Sequence, residues 1–228
     1  LVSETVRSIK SLRRFVGKED IFVFYTPPRS EKTRRKLSEL AHVILAPNLT
    51  EPFPFSEKRW GRYGEKVHVC DMNYPNVIFL DGDTIVKKNP LDLVDGDFDF
   101  SARVADVYLK PEFDLEKWKS LFEKFAVDPI PVPNAGFMIF KNWCHRDIKD
   151  LWLKLLNSDI PKLYPYTYHK DQYTLALALA AKKKRIRWMT KREHAFLWLG
   201  EKKDAYVLHG GMGLKRRIRR ILRRIGIV

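Results

Sequence analysis

Cysteine is nearly missing from these 228 residues: Cys70 and Cys144 are the only two, and neither sits in a Cys-x-x-Cys pair. That excludes a disulfide framework and makes a reducing, cytoplasmic setting the expectation. No uninterrupted apolar run approaches the ~20 residues needed to span a bilayer, and no signal peptide is visible. Low-complexity linkers and internal repeats are absent as well. What is present is a core-forming composition, 45% apolar and 13% aromatic, enough at this length for one full domain.

Charge of one sign is in excess. The chain carries 43 Lys and Arg against 28 Asp and Glu, a net +15. Seven of those positives (Lys215, Arg216, Arg217, Arg219, Arg220, Arg223, Arg224) fall in the last fourteen residues, so the rest of the chain holds +8. Leu214, Ile218, Ile221, Leu222 and Ile225 recur at helical spacing among them. This predicts a basic amphipathic helix over 214–228, suited to an anionic membrane surface. The same charge could meet nucleic acid, but the apolar stripe disfavours that reading; packing of the stripe on the protein's own core is the plain alternative.

Along the chain, helical and strand patterns alternate, which predicts a parallel α/β sheet. Glu4 to Phe15 has helical spacing behind a Ser3 cap, Ile21 to Tyr25 reads as a strand, and Glu31 to Leu40 is a helix capped by Ser30. His42 to Leu45 is the next strand. Lys58 to Met72 looks helical. Later strands are expected at Phe98 to Ala102, Phe137 to Phe140, Arg185 to Trp188 and Tyr206 to Leu208. Further helices are expected at Leu115 to Phe125, Asp147 to Leu156 and Lys170 to Lys183. His42 and His68 sit in core-like patterns, while His145 and His194 have polar sequence surroundings. Folds of this type usually begin with a strand, so a first strand ahead of Leu1 is expected.

The most informative segment is Ile78-Phe79-Leu80-Asp81-Gly82-Asp83-Thr84. A short apolar run reads as a buried strand, and it ends on two carboxylates one residue apart, at the edge where open α/β sheets bind ligands. Two such oxygens suit Mn²⁺ or Mg²⁺, and the ion in turn suits a diphosphate. A polar turn closing the strand is the simpler reading of Asp-Gly-Asp by itself.

The block from Lys66 through Asn73-Tyr74-Pro75, the strand, Asp81-Gly82-Asp83-Thr84 and Asn89-Pro90 resembles the glycogenin-like, retaining family eight glycosyltransferases. Three later stretches extend the resemblance. Asn134-Ala135-Gly136, leading into Phe137 to Phe140, is similar to the family's Asn-Ser-Gly strand motif, with Ala135 in place of Ser. Asp171-Gln172 at a helix start resembles its Asp-Gln motif. His209-Gly210-Gly211-Met212-Gly213-Leu214-Lys215 looks like the C-terminal motif. Each also has a bland reading, as a turn, a cap or a strand end.

The resemblance implies a single Rossmann-like (GT-A) α/β domain over 1–213, with a mainly parallel central sheet, followed by the 214–228 helix. It implies that Asp81, Asp83 and His209 bind Mn²⁺ or Mg²⁺. Lys66, Arg103, Gly211 and Lys215 would contact a nucleotide-diphospho-sugar, and Asn134, Asp171 and Gln172 would serve the sugar and its anomeric carbon, with retention of configuration. The acceptor would be membrane-proximal if the tail lies on the inner face of a membrane. Two rival readings stay open. One is a haloacid dehalogenase-type phosphatase, whose motif wants Thr two residues after the second Asp whereas Thr84 follows at once. The other is a non-catalytic basic scaffold for membrane or nucleic acid.

Overall fold

A computed structural model of the chain describes residues 2–27, 30–50, 53–56, 59–61, 63–110, 113–160, 170–201 and 204–210. Helix α1 (Val2–Leu12) places Glu4 in its first turn and Lys10 in its last, each complementing the helix dipole. Strand β1 (Phe22–Tyr25), α2 (Glu31–Ser38) and β2 (His42–Leu45) then form a parallel βαβ unit, register Phe22↔His42 to Tyr25↔Leu45. Ser30 caps α2 by accepting from the Thr33 amide.

The segment expected as one helix from Lys58 to Met72 is not one. A strand β4 (Arg59–Gly61) pairs antiparallel with β3 (Phe53–Ser56), and a 3₁₀ helix runs over Tyr63–Asp71. Gly61 and Gly64 weaken an α-helix there, and Gly64 lies where a Cβ would stand 2.7 Å from Thr50 Oγ1.

The main sheet is mixed rather than mainly parallel, with order β5-β8-β7-β9. Strand β8 (Pro133–Phe140) lies antiparallel to both β5 (Val77–Leu80) and β7 (Phe100–Val104), while β7 and β9 (Ile186–Met189) run parallel. A strand-and-helix alternation does not reveal the end from which a strand enters. All eight residues of β8 are buried, as the apolar run Phe137 to Phe140 demands at the centre of a sheet. A smaller sheet has order β10-β11-β6: β10 (His194–Phe196) parallel to β11 (Val207–His209), and β11 antiparallel to β6 (Thr84–Val86).

Helices α3 (Leu115–Glu123), α4 (Cys144–Leu156) and α5 (Lys170–Ala181) supply the main core. Trp118, Phe122, Trp152 and Tyr173 are fully buried there with Phe100 and Phe140. Truncating one such aromatic costs about 3–5 kcal/mol. From Lys170 to Leu179 every residue of α5 is buried, so its polar start, Lys170-Asp171-Gln172, lies inside the protein rather than on its surface. Residues 211–228, with Gly211, Lys215 and the expected basic helix, lie outside the described residues, as does His169.

Candidate metal centre

Strand β5 ends at Asp81, whose amide donates to the Gly136 carbonyl of β8 at 2.8 Å. The Asp81 carbonyl in turn accepts from the Thr84 amide at 3.1 Å and the Thr84 hydroxyl at 2.8 Å. These bonds close Asp81-Gly82-Asp83 into a tight turn and launch β6. Because β11 pairs with β6 in the register His209↔Thr84, the imidazole arrives from 125 residues downstream beside both carboxylates. The Gly210 amide, donating to the Asp83 carbonyl at 3.2 Å, locks that approach. His209 Nε2 stands 3.3 Å from Asp83 Oδ1 and 3.7 Å from Asp81 Oδ2. One ligand atom from each of the three residues lies within 4.8 Å of the others.

Two glycines make room for this. At Gly136 a Cβ would overlap the His209 ring, and Gly210, at φ +80°, lies where a Cβ would meet the Trp198 ring. The imidazole is held by aromatic neighbours: His194 stacks on it at 5.4 Å, and Trp198 meets it edge-on at 5.0 Å. His194 is completely buried, and burial, then the neighbouring His209 and Arg103, drives its pKa well below the ordinary value. It is therefore neutral packing. Polar sequence neighbours misled on both His145 and His194, which are wholly buried; of the core-like pair, His68 is buried and His42 exposed.

Lys66, on the 3₁₀ helix, joins this cluster to α5. Its Nζ lies 2.9 Å from Asp81 Oδ2, 3.4 Å from Asp171 Oδ2 and 3.2 Å from the Ala135 carbonyl. Burial works against its charge, but the Asp81 and Asp171 carboxylates prevail and raise its pKa. Asp171 is wholly buried and is pushed up to about 6, chiefly by burial, against the pull of Lys66 and with the push of Asp81. For Asp83, burial raises the pKa, but the bond and charge of His209 outweigh it and the net shift is downward.

Asn134 and Gln172 line the same cavity as Lys66, Asp81, Asp83 and His209. Asn134 Oδ1 accepts from the Gly136 amide at 2.9 Å, whereas the buried Gln172 Oε1 has no hydrogen-bond partner among the described residues. Arg103 is placed elsewhere. Its guanidinium pairs with Glu201, donates to the His194 carbonyl and covers the Phe196 ring at 4.1 Å. Trp198 and Asp106, joined by a 3.0 Å hydrogen bond, complete the wall near His209; no motif in the sequence pointed to either.

The donor set fits a divalent ion: two carboxylates and an imidazole, whose Nε2 faces both of them, suit Mn²⁺ or Mg²⁺.

No family model and no curated protein matches the chain. Solved structures do. The chain is similar to the WbbM bifunctional glycosyltransferase in its apo form, at 15% identity and TM-score 0.59, over 91% of this chain and 44% of that one. It is similar to apo mouse xyloside xylosyltransferase 1 at 15% identity and TM-score 0.53, over 92% of both chains. The glycosyltransferase GlyE of Streptococcus pneumoniae TIGR4 matches at 15% identity and TM-score 0.56, over 91% of this chain and 51% of that one. The chain thus has a glycosyltransferase-type α/β fold and spans about half the length of WbbM and GlyE.

Proposed function

We propose that the chain is a metal-dependent glycosyltransferase that takes its sugar from a nucleotide-diphospho-sugar. The observation that carries this reading is the cluster of Asp81, Asp83 and His209 at the end of β5, its ligand atoms within 4.8 Å of one another, on the wall of a cavity that Asn134 and Gln172 also line. Asp81, Asp83 and His209 would hold Mn²⁺ or Mg²⁺, which supplies charge stabilisation for a leaving diphosphate. Lys215 and Gly211, by their spacing after His209, are proposed to meet the diphosphate as well.

The organic half of the site is the Lys66 and Asp171 pair with its neighbours. Lys66 ties Asp171, at the start of α5, to Asp81, and Asp171, ionised above about 6 and buried behind the cavity wall, is proposed to supply negative charge behind an anomeric carbon at which positive charge develops. Gln172 Oε1, with no internal partner among the described residues, is free to accept from a sugar hydroxyl, and Asn134 lines the same cavity. Arg103, proposed from the resemblance as a donor contact, would have to leave Glu201 to reach the donor. Retention of configuration is proposed from the same resemblance. The acceptor is proposed to be membrane-proximal, because residues 214–228 combine Arg with an apolar stripe in their sequence.

The test is a panel of nucleotide-diphospho-sugars incubated with the protein and Mn²⁺ or EDTA, following release of nucleoside diphosphate. Mn²⁺-dependent release from one donor, abolished in Asp83→Asn with its melting temperature kept, is the expected result. Release that persists unchanged in EDTA and in the variant contradicts it.

A further inference from the structure

Two 3₁₀ turns far apart in sequence, Asp106–Leu109 after β7 and Leu197–Leu199 after β10, are joined beside the candidate metal centre by one side chain. Trp198 Nε1 donates to Asp106 Oδ2 at 3.0 Å. One face of the indole lies on Phe196, the planes only 10° apart, and Phe196 is covered in turn by the Arg103 guanidinium, which Glu201 holds. At the edge away from Nε1, Cε3 and Cζ3 lie against Gly210, where a Cβ would come within 2.5 Å of Cε3. The centroids of Trp198, Phe196 and His209 are 4.7 Å (Trp198 to Phe196), 5.0 Å (Trp198 to His209) and 6.2 Å (Phe196 to His209) apart, which sets His209 at the rim of the indole and not over its second face. The ring is therefore held on one face and at two edges. It is still 39% exposed, and the part left to be exposed is its second face, on the wall of the cavity that Asp81, Asp83 and His209 also line.

An aromatic ring immobilised in this way is a pre-built stacking surface, because little freedom remains to be lost when a flat ligand lies on it. A pyranose has the matching shape: one side of its ring is a patch of C–H bonds, and its rim carries hydroxyls. Polar partners for such a rim stand in the same cavity wall, Asp106 and Lys110, whose Oδ2 and Nζ are 3.9 Å apart. Beyond Trp198 the surface turns apolar. Asp106 also lines a hollow of about 290 Å³, together with Tyr108, Leu109, Phe196 and Leu199. Leu109 is 67% exposed and Leu199 40%. Each ends one of the two turns, so both leucines and the indole form an apolar strip leading away from the Asp81, Asp83 and His209 cluster.

We propose that this strip is the acceptor subsite: Trp198 is the platform for a pyranose ring, and the acceptor is a glycoside whose apolar aglycone lies over Leu109 and Leu199. The ion, Asn134 and Gln172 take the donor's diphosphate and sugar in the reaction proposed above, so a ring stacked on Trp198 belongs to the second substrate. That the bound glycoside is an acceptor rests on that reaction; that it binds here does not.

Saturation-transfer NMR titration tests it, with no donor present and both with and without Mn²⁺, using hexyl and methyl β-glycosides of glucose, galactose, mannose and N-acetylglucosamine. At least one hexyl glycoside should bind about 10-fold more tightly than both its methyl counterpart and hexanol, because it alone covers the indole and the strip together. Trp198→Ala should weaken that glycoside about 10-fold, as loss of an aromatic anchor does. Leu109→Asn, at an exposed position where folding is not at stake, should erase the preference for hexyl over methyl. Equal binding of the hexyl and methyl forms, a preference that survives Leu109→Asn, or a Trp198→Ala protein that loses affinity for uridine diphosphate and not for the glycoside would overturn the assignment. A Mn²⁺ site without glycoside binding would overturn the subsite and leave the proposed reaction standing. Glycoside binding of the expected pattern in a protein with no Mn²⁺ site would uphold the subsite and sink the reaction.

Discussion

Raising the pH from 6 to 10 should destabilise this protein through one imidazole. His68 is 2% exposed, and both of its ring nitrogens face acceptors: Nδ1 is 2.9 Å from Asp71 Oδ2, and Nε2 is 2.9 Å from the Pro47 carbonyl and 3.4 Å from Glu65 Oε2. Only the imidazolium can donate from both nitrogens. Burial opposes the charge, but the bonds to Glu65, Asp71 and Pro47 outweigh it and raise the pKa from 6.5 to about 9. A folded-state value above the unfolded one means that the contribution is fully present below about 6.5 and is lost as pH rises through about 9. At ~1.4 kcal/mol per pH unit, the gap between 6.5 and about 9 amounts to roughly 3 kcal/mol, a large part of the ~5–15 kcal/mol that holds a domain together. Glu65 has the opposite sense. Burial raises its pKa, yet bonds from His68, Leu49 and Thr50 lower it overall, so its contribution holds above 4.5 and falls away in acid. Urea unfolding at pH 6, 7.5 and 9.5 measures the first effect. His68→Gln should be less stable at pH 6 and nearly flat across the range. Parallel loss of stability in wild type and variant would refute the reasoning.

Other expectations concern the site and the tail. Lys66→Met leaves Asp171 buried beside Asp81 without its ammonium, and should cost about 3 kcal/mol in chemical denaturation; a change under ~0.5 kcal/mol would mean the ion pair is incidental. Gly136→Ala drives a methyl into the His209 ring, so calorimetry should show Mn²⁺ affinity reduced at least ~10-fold while circular dichroism stays native. Deleting residues 216–228 should abolish sedimentation with anionic liposomes at low salt, since each basic residue at such a surface contributes on the order of 1 kcal/mol. Equal binding of the truncated form would remove the reason for a membrane-proximal acceptor.

Sequence patterns located the elements whose signal is local. The apolar run Val77 to Leu80 is a strand ended by Asp81, Ser30 caps α2, and Asp171-Gln172 opens a helix. What depends on pairing was hidden. Thr84-Ile85-Val86 is too short to read as a strand, yet its register with β11 is what sets His209 beside the Asp pair. Asn134-Ala135-Gly136 reads as a turn before a strand but lies within β8, where the bare Gly136 lets the imidazole close in. The burial of His194 and the placing of Trp198 come from long-range packing, which polarity along the chain does not report.

Manganese binding tests the central claim most directly. Titration of Mn²⁺ into the protein, followed by electron paramagnetic resonance of the free ion, should reveal one site per chain that is lost in Asp83→Asn and in His209→Ala while both variants keep their fold. Absence of a saturable site in the wild-type protein, or a site that survives both substitutions, would contradict the account.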